Sequence, residues 1–291
     1  MTGAALMPFE KIISETTPEG VLILTMNDPD TLNALGEPLM PELESEVDRF
    51  AEDDDLRVLV ITGSGRAFSS GANVRGFQKR INDAEAEAVD APEHRSTSWE
   101  QLDSDYTSRE ALGAKTGPAI VPKLHNLHKP SFAAVNGHAY GLGCGISLSC
   151  DIRIAGESAR FNEAFVRSGL VPADGSAWQL PKLVGMANAL WMQYSGEPID
   201  GAEAYRIGLA NKVVPDDKLM ETTLEMATKL ARGPVYAMGI VKQLIHQAYQ
   251  QDLAEHLPLA SRGQDLTRTT YDHKEGVAAF LEKRKPEFRG Y

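Results

Sequence analysis

The sequence is poor in cysteine, poor in positive charge and without a long apolar run, and each scarcity removes a class of function. Its two cysteines, Cys144 and Cys150, lie six apart with no second Cys/His pair spaced for zinc. They read as small buried residues in a reducing compartment. Lys and Arg number 29 against 41 Asp and Glu, a net charge of −12. That balance argues against non-specific nucleic-acid or anionic-membrane binding, which needs a basic face. It leaves room for an anionic ligand, because a few local Arg and Lys residues can make a positive pocket. No segment approaches the roughly 18 apolar residues of a membrane span. The opening MTGAALMPFEKI lacks the basic start and long apolar stretch of a secretion signal. The expectation is a cytoplasmic protein with no nucleic-acid or membrane partner.

What is present suffices for a sizeable core. The 291 residues are 42% hydrophobic, ordinary for a soluble globular chain. FEKIISETTPEGVLILTMN reads as two strands around the turn at Pro18 to Gly20. In GEPLMPELESEVDRFAED, Leu39, Leu43, Val47 and Phe50 recur at spacings of four, four and three, one apolar face of a helix. RVLVITG and PSFAAVNG are buried strands ending in glycine. Between them, from about Gln78 to Pro122, runs a polar, acidic, weakly periodic segment that reads either as a solvated excursion or as a lid over a pocket. After Asp200, a candidate helix cap, the pattern turns helical. Leu219, Leu224, Met226 and Leu230 give a mixed helical pattern that stops at Gly233 before Pro234, and two or three more helices follow.

Two segments look alike, VITGSGRAFSSGA and AAVNGHAYGLGCG. A strand running into a glycine turn and a helix leaves backbone N–H groups unpaired and pointing outward. Such groups bind a phosphate or the oxyanion that develops on a carbonyl. Dinucleotide binding fails because Gly141-Leu142-Gly143 lacks the third glycine and no acidic residue closes the next strand. A Walker loop fails for want of Gly-Lys-Ser/Thr. The two turns, SSGAN and GLGCG, could aim one N–H each at one oxygen, or simply pack tightly.

NDPDTLNAL, VLVITGSGRAFSSGANVRGF, KPSFAAVNGHAYGLGCGISLSCDIRIAGESARF, GLVPADGSAWQLPKLVG and EGVAAFLEKRKPEF stand in the order and spacing of the enoyl-CoA hydratase/isomerase (crotonase) superfamily, which the chain resembles over essentially its whole length. The resemblance implies an α/β fold, a right-handed spiral of strand-strand-helix units over residues 1–199, followed by a helical oligomerisation region over 200–291. It implies homotrimers, often paired into hexamers. It also implies an acyl-CoA thioester substrate of fatty-acid-type metabolism, coenzyme A being part of the substrate and no other cofactor required. By motif position the oxyanion-hole N–H groups belong to Ala72 and Leu142. Arg75, with Asn73 and Val74 beside it, matches a CoA-contacting position, and Phe280 and Lys283 match C-terminal residues that close on CoA, commonly from a neighbouring subunit.

The chain departs from the family where water would be handled. The two hydratase glutamates fall on Gly145 and Phe165, and both are missing. Glu163 lies two residues before the second place and, by strand or helix phase, reads as a surface or loop carboxylate. The remaining acid is Asp174 in LVPADGSAW. Isomerase-type relatives carry an acid in this loop that moves a proton between two carbons, although an ungapped match sets theirs opposite Ala173. Asp174 also reads as a turn residue before Gly175 or as a helix cap. His138 and Tyr140 flank the second glycine turn, as a possible base or as packed residues. Trp178 with Phe165 reads as an aromatic wall for the acyl group or as core. Three functions compete. In an isomerase-type enzyme Asp174 moves the proton. In a divergent hydratase, Asp174, Glu163 or Glu100 handles the water. A non-catalytic acyl-CoA-binding protein would need none of them.

Overall fold

Val58-Leu59-Val60-Ile61 is apolar at every position because both faces of its strand are covered, the pattern of a buried parallel sheet. Leu59 and Ile61 point into one core and Val58 and Val60 into another. The computed structural model describes residues 9–72 and 119–291, and within them the chain lays down two sheets. β1 (Ile12–Thr16) and β2 (Val21–Met26) form the expected antiparallel pair. β3 (Val58–Gly63) joins β2 in parallel. Next come β4 (Ala67–Ser69), β5 (Ser131–Val135), β6 (His138–Tyr140), β7 (Ile152–Gly156), β8 (Arg160–Asn162), β9 (Ile199–Asp200) and β10 (Lys212–Val214). The larger sheet runs β1-β2-β3-β5-β7-β10 and the smaller β4-β6-β8-β9. From β3 to β8 the chain thus alternates, one strand in the large sheet and the next in the small one.

Helices close the spiral. α1 (Leu39–Glu52) buries the predicted face of Leu39, Leu43, Val47 and Phe50. Each such side chain taken from water contributes about 1.5–3 kcal/mol. The short α2 (Ile120–His125) overlaps the end of the acidic segment, the rest of which lies outside the described residues. α3 (Leu142–Ser149) follows β6 and is buried along its whole length. Its C-terminal carbonyls, which have no partners within the helix, are met by the buried Arg153 of β7. One Nη of that guanidinium donates to the Ser147, Leu148 and Cys150 oxygens at 3.1, 3.3 and 2.6 Å. α4 (Ser176–Ser195) and α5 (Gly201–Arg206) follow, α5 capped by Asp200, whose side chain accepts the Glu203 N–H at 2.8 Å.

Chain beyond Asp200 still serves the large sheet. β10 pairs with β7, and α6 (Leu219–Ala231) covers the Val58, Val60 and Phe132 face. The side chains it buries fully are Leu219, Thr223, Ala227 and Ala231, at strict i, i+4 spacing, while Leu224, Met226 and Leu230 flank them partly buried. Small residues let the helix approach the sheet closely. Three helices complete the chain: α7 (Val235–Ala248), α8 (Leu253–Arg268) and α9 (Tyr271–Glu282). Among the described residues no helix is long and apolar enough to cross a membrane.

Candidate active site

The two glycine turns meet because the strands leading into them are neighbours. β4 pairs with β6 in parallel, Ala67 opposite His138. Asn33 holds the first turn from behind. Its buried amide nitrogen donates to the Ala67 and Ser64 oxygens at 2.8 and 3.0 Å, and its own carbonyl accepts from Ser69 Oγ at 2.7 Å. Ser70 N–H donates to the Leu32 oxygen at 2.8 Å. Gly71 follows with φ of +86°, and a Cβ there would stand 2.5 Å from the Tyr140 oxygen and 3.4 Å from the Leu142 nitrogen. Only glycine allows that approach. Gly143 does the same from the other side, since a Cβ on it would meet Ser69 at 2.7–2.9 Å. The next residue after Gly71 is Ala72, and Leu142 opens α3. Among the described residues neither of their N–H groups has a backbone partner.

Beside the second turn stands a buried pair of acids. Asp174 is 3% exposed and Glu163 1%. Asp174 Oδ1 accepts the Ser176 N–H at 3.0 Å, so the turn role expected from sequence is real, but it uses one oxygen only. Among the described residues Oδ2 has no hydrogen-bond partner, and it lies against Gly145, where a Cβ would stand 2.9 Å from Asp174 Cγ. Gly145 is three residues past Leu142 on α3, hence on the same helix face. The Asp174 carboxyl therefore occupies the space in which a side chain at 145 would begin.

Glu163 is not the surface carboxylate its sequence phase suggested. Its φ and ψ of −88° and 70° belong to neither strand nor helix, so neither phase rule applies. Oε2 accepts from Ser176 Oγ at 2.7 Å, and among the described residues the buried Oε1 has no hydrogen-bond partner. Burial, then the neighbouring Asp174 charge, push its carboxyl up to about 8. Burial likewise raises Asp174, against the hydrogen bonds from Ser176. Cys144 shares this pocket, its thiol held well above the usual range by burial and by the two acids. Ser176, which ties both carboxyls, drew no attention in the sequence; a hydroxyl two residues after an Asp was the available signal.

The other expected residues are scattered. Asn73, Val74, Arg75 and Glu100 lie outside the described residues. Phe165 is half-buried over the second turn, its ring tip 3.8 Å from where a Gly141 Cβ would sit. Trp178 does not join it as a wall. It is 48% exposed and lines a cavity of about 460 Å³ at the opposite end of α3, near Cys150, with His125, Lys182 and His246. An eight-residue helix separates the two aromatics. His138 and Tyr140 pack edge to face on one another, 5.0 Å between ring centres. Phe280, 83% exposed on α9, borders a groove with Tyr236 and Phe288, and Lys283 ends that helix in the left-handed conformation.

A family model described as enoyl-CoA hydratase/isomerase matches residues 16–105 and 100–291. The chain belongs to the enoyl-CoA hydratase/isomerase family. It is 35% identical to the 2,3-dehydroadipyl-CoA hydratase of Escherichia coli K12 over 93% of its own length and 95% of that protein's. It is 33% identical to the 1,2-epoxyphenylacetyl-CoA isomerase of the same strain, over 94% and 96%. The crystal structure of an enoyl-CoA hydratase from Bacillus anthracis superposes with a TM-score of 0.79 at 29% identity, covering 97% of this chain and all of that one. Membership makes it an acyl-CoA enzyme of that family.

Proposed function

We propose that the protein is an enoyl-CoA isomerase-type enzyme, in which Asp174 carries a proton between two carbons of a thioester enolate. One observation carries the reading: Oδ2 of Asp174, without a hydrogen-bond partner among the described residues, fills the side-chain space of Gly145, one helical turn from the Leu142 N–H. The Ala72 and Leu142 N–H groups hold the thioester oxygen. Each such donor is worth roughly 3–4 kcal/mol of barrier. Asp174 takes a proton from C2 of a 3-enoyl thioester, the electron pair passes into the carbonyl, and the oxyanion is held by the two N–H groups. The same carboxyl returns the proton to C4 as the pair flows back, leaving the 2-enoyl isomer. Gly145 and Phe165 stand where the resemblance puts the two water-handling glutamates, which favours proton transfer over hydration.

A second reading, hydration, is favoured by Glu163, which gives the site a second buried carboxyl. A 2-enoyl-CoA and a 3-enoyl-CoA, incubated separately in deuterium oxide and followed by mass spectrometry, separate the two. Double-bond migration without a water adduct supports the isomerase reading. A water adduct of the 2-enoyl-CoA overturns it in favour of hydration, and no turnover with CoA binding intact overturns both.

The same reading makes the working molecule a homotrimer or hexamer in which Arg75, Asn73 and Val74 contact CoA and Phe280 and Lys283 close on it from a neighbour. The exposed Trp191, Tyr194, Phe280 and Leu281 suit burial in such an assembly.

A further inference from the structure

We propose that Glu163 is a positioning residue acting through Asp174: neutral, it fixes the Asp174 loop by way of Ser176, and ionised, it switches the site off. The proposal rests on the reading of Asp174 as the proton carrier. Its ground is a juxtaposition that Ser176 creates. The backbone N–H of Ser176 donates to Asp174 Oδ1 at 3.0 Å and its hydroxyl to Glu163 Oε2 at 2.7 Å. Gln193 Nε2, 3.4 Å away, donates into the same hydroxyl from the far end of α4. Glu163 directly follows β8, which pairs with β6 and β9, whereas Asp174 stands in the loop that enters α4. The Ser176 hydroxyl is the described side-chain link between the two.

The groups facing Glu163 are Cys144 from α3, Asp174 from the loop, and Ser176 from α4. Among the described residues no cation joins them. Two carboxylates in such a pocket do not ionise together cheaply, because each loses its hydration and repels the other. Burial raises both carboxyls, and the Asp174 charge adds to burial in pushing Glu163 up to about 8. The neutral acid accepts from Ser176 through Oε2, and among the described residues Oε1 has no hydrogen-bond partner. Ionisation adds a second negative charge beside Asp174, opposing both the enolate charge and the set of Asp174 Oδ2 against Gly145.

Glu163→Gln keeps an acceptor for Ser176 and can never ionise; Glu163→Ala removes both. The experiment measures kcat and KM on the turned-over enoyl-CoA from about pH 5 to about pH 9.5 for wild type, both variants and Asp174→Asn. Wild type should lose kcat on an alkaline limb near pH 8, and Glu163→Gln should move that limb up by about one pH unit or more while holding kcat at pH 7 within about threefold. Glu163→Ala should lower kcat about tenfold or more with KM changed less than about twofold. An unmoved alkaline limb in Glu163→Gln, or full activity in Glu163→Ala, overturns the proposal while leaving Asp174 in place. An active Asp174→Asn overturns the reading of Asp174 and this proposal with it. The carboxyl carbon-13 resonance of Glu163, assigned by its loss in Glu163→Gln, tests the same point without turnover. It should stay at its protonated position to about pH 8, and ionisation near the ordinary carboxylate range would overturn the proposal.

Discussion

Asp174 and Gly145 share one volume. A Cβ built on Gly145 would stand 2.9 Å from Asp174 Cγ and 3.2 Å from its Cβ, and nearer still to Oδ2. The glycine and the acid are therefore a single choice, made once in α3 and once in the loop before α4.

Gly145→Ala tests that coupling. The new methyl must displace the Asp174 carboxyl, at a stability cost of about 1–3 kcal/mol. kcat should fall about tenfold or more, because the displaced group no longer meets its carbon. Adding Asp174→Gly should relieve the strain, so the double variant melts above the single one, with a coupling of about 1 kcal/mol or more between the two sites. Additive melting temperatures would show that the two residues do not compete for space.

Asp174→Asn should lower kcat by about 10²–10⁴, the usual worth of a positioned acid–base group. It should also raise the melting temperature at neutral pH. Burial raises the Asp174 carboxyl in the folded state, so its stabilising contribution is full below the unfolded pKa and is lost as pH rises through the folded one. The amide carries no charge to bury. Thermal melts and single-turnover kinetics on the same preparation would read both effects.

Glu163 gives stability its own pH dependence. Its folded pKa of about 8 lies above its unfolded value, so the contribution is complete below about pH 4.5 and declines until about pH 8 is passed. The total change is on the order of 3–5 kcal/mol. Urea unfolding of wild type from about pH 5 to pH 9 should show this decline, and Glu163→Gln should flatten it.

Asn33→Ala should cost about 1–3 kcal/mol, since the Ser64, Ala67 and Phe68 carbonyls each lose a donor and Asn136 Nδ2 is left to serve Ala67 alone. Because Ser69 and Ser70 bond back to the Asn33 loop, the first glycine turn should loosen as well, lowering kcat. A stability loss with unchanged kcat would show that the turn is held without it.

The sequence made the frame legible where one periodicity acts alone. α1 could be read from the spacing of Leu39, Leu43, Val47 and Phe50, and β3 and β5 from unbroken apolar runs. It was less informative where packing chooses among equal options. α6 buries Thr223, Ala227 and Ala231 along with Leu219 and leaves Leu224, Met226 and Leu230 only partly buried, because close approach to the sheet outweighs side-chain size. The glycine turns could be found as turns, but their meeting depends on the pairing of β4 with β6, strands of three residues each. Asp174 sits one residue from the family position, and chain register does not reveal that a carboxyl can enter the same space from another segment. Glu163 was misplaced because phase arguments assume regular backbone and its backbone is irregular. Trp178 was misplaced because residues near one site in sequence can face opposite ends of α3.

The Arg153 guanidinium at the end of α3 has an electrical consequence. A helix carries about half a positive charge at its first N–H groups and about half a negative one at its last carbonyls. Here the negative pole is covered by a full cation bonded to three carbonyl oxygens, inside a buried rod of eight residues. The two poles no longer cancel at a distance. Leu142 therefore presents its N–H from the end of a net-positive element, in a chain whose overall charge is −12. That positive end is set against the Asp174 carboxyl, which lies against Gly145 one turn along the same helix.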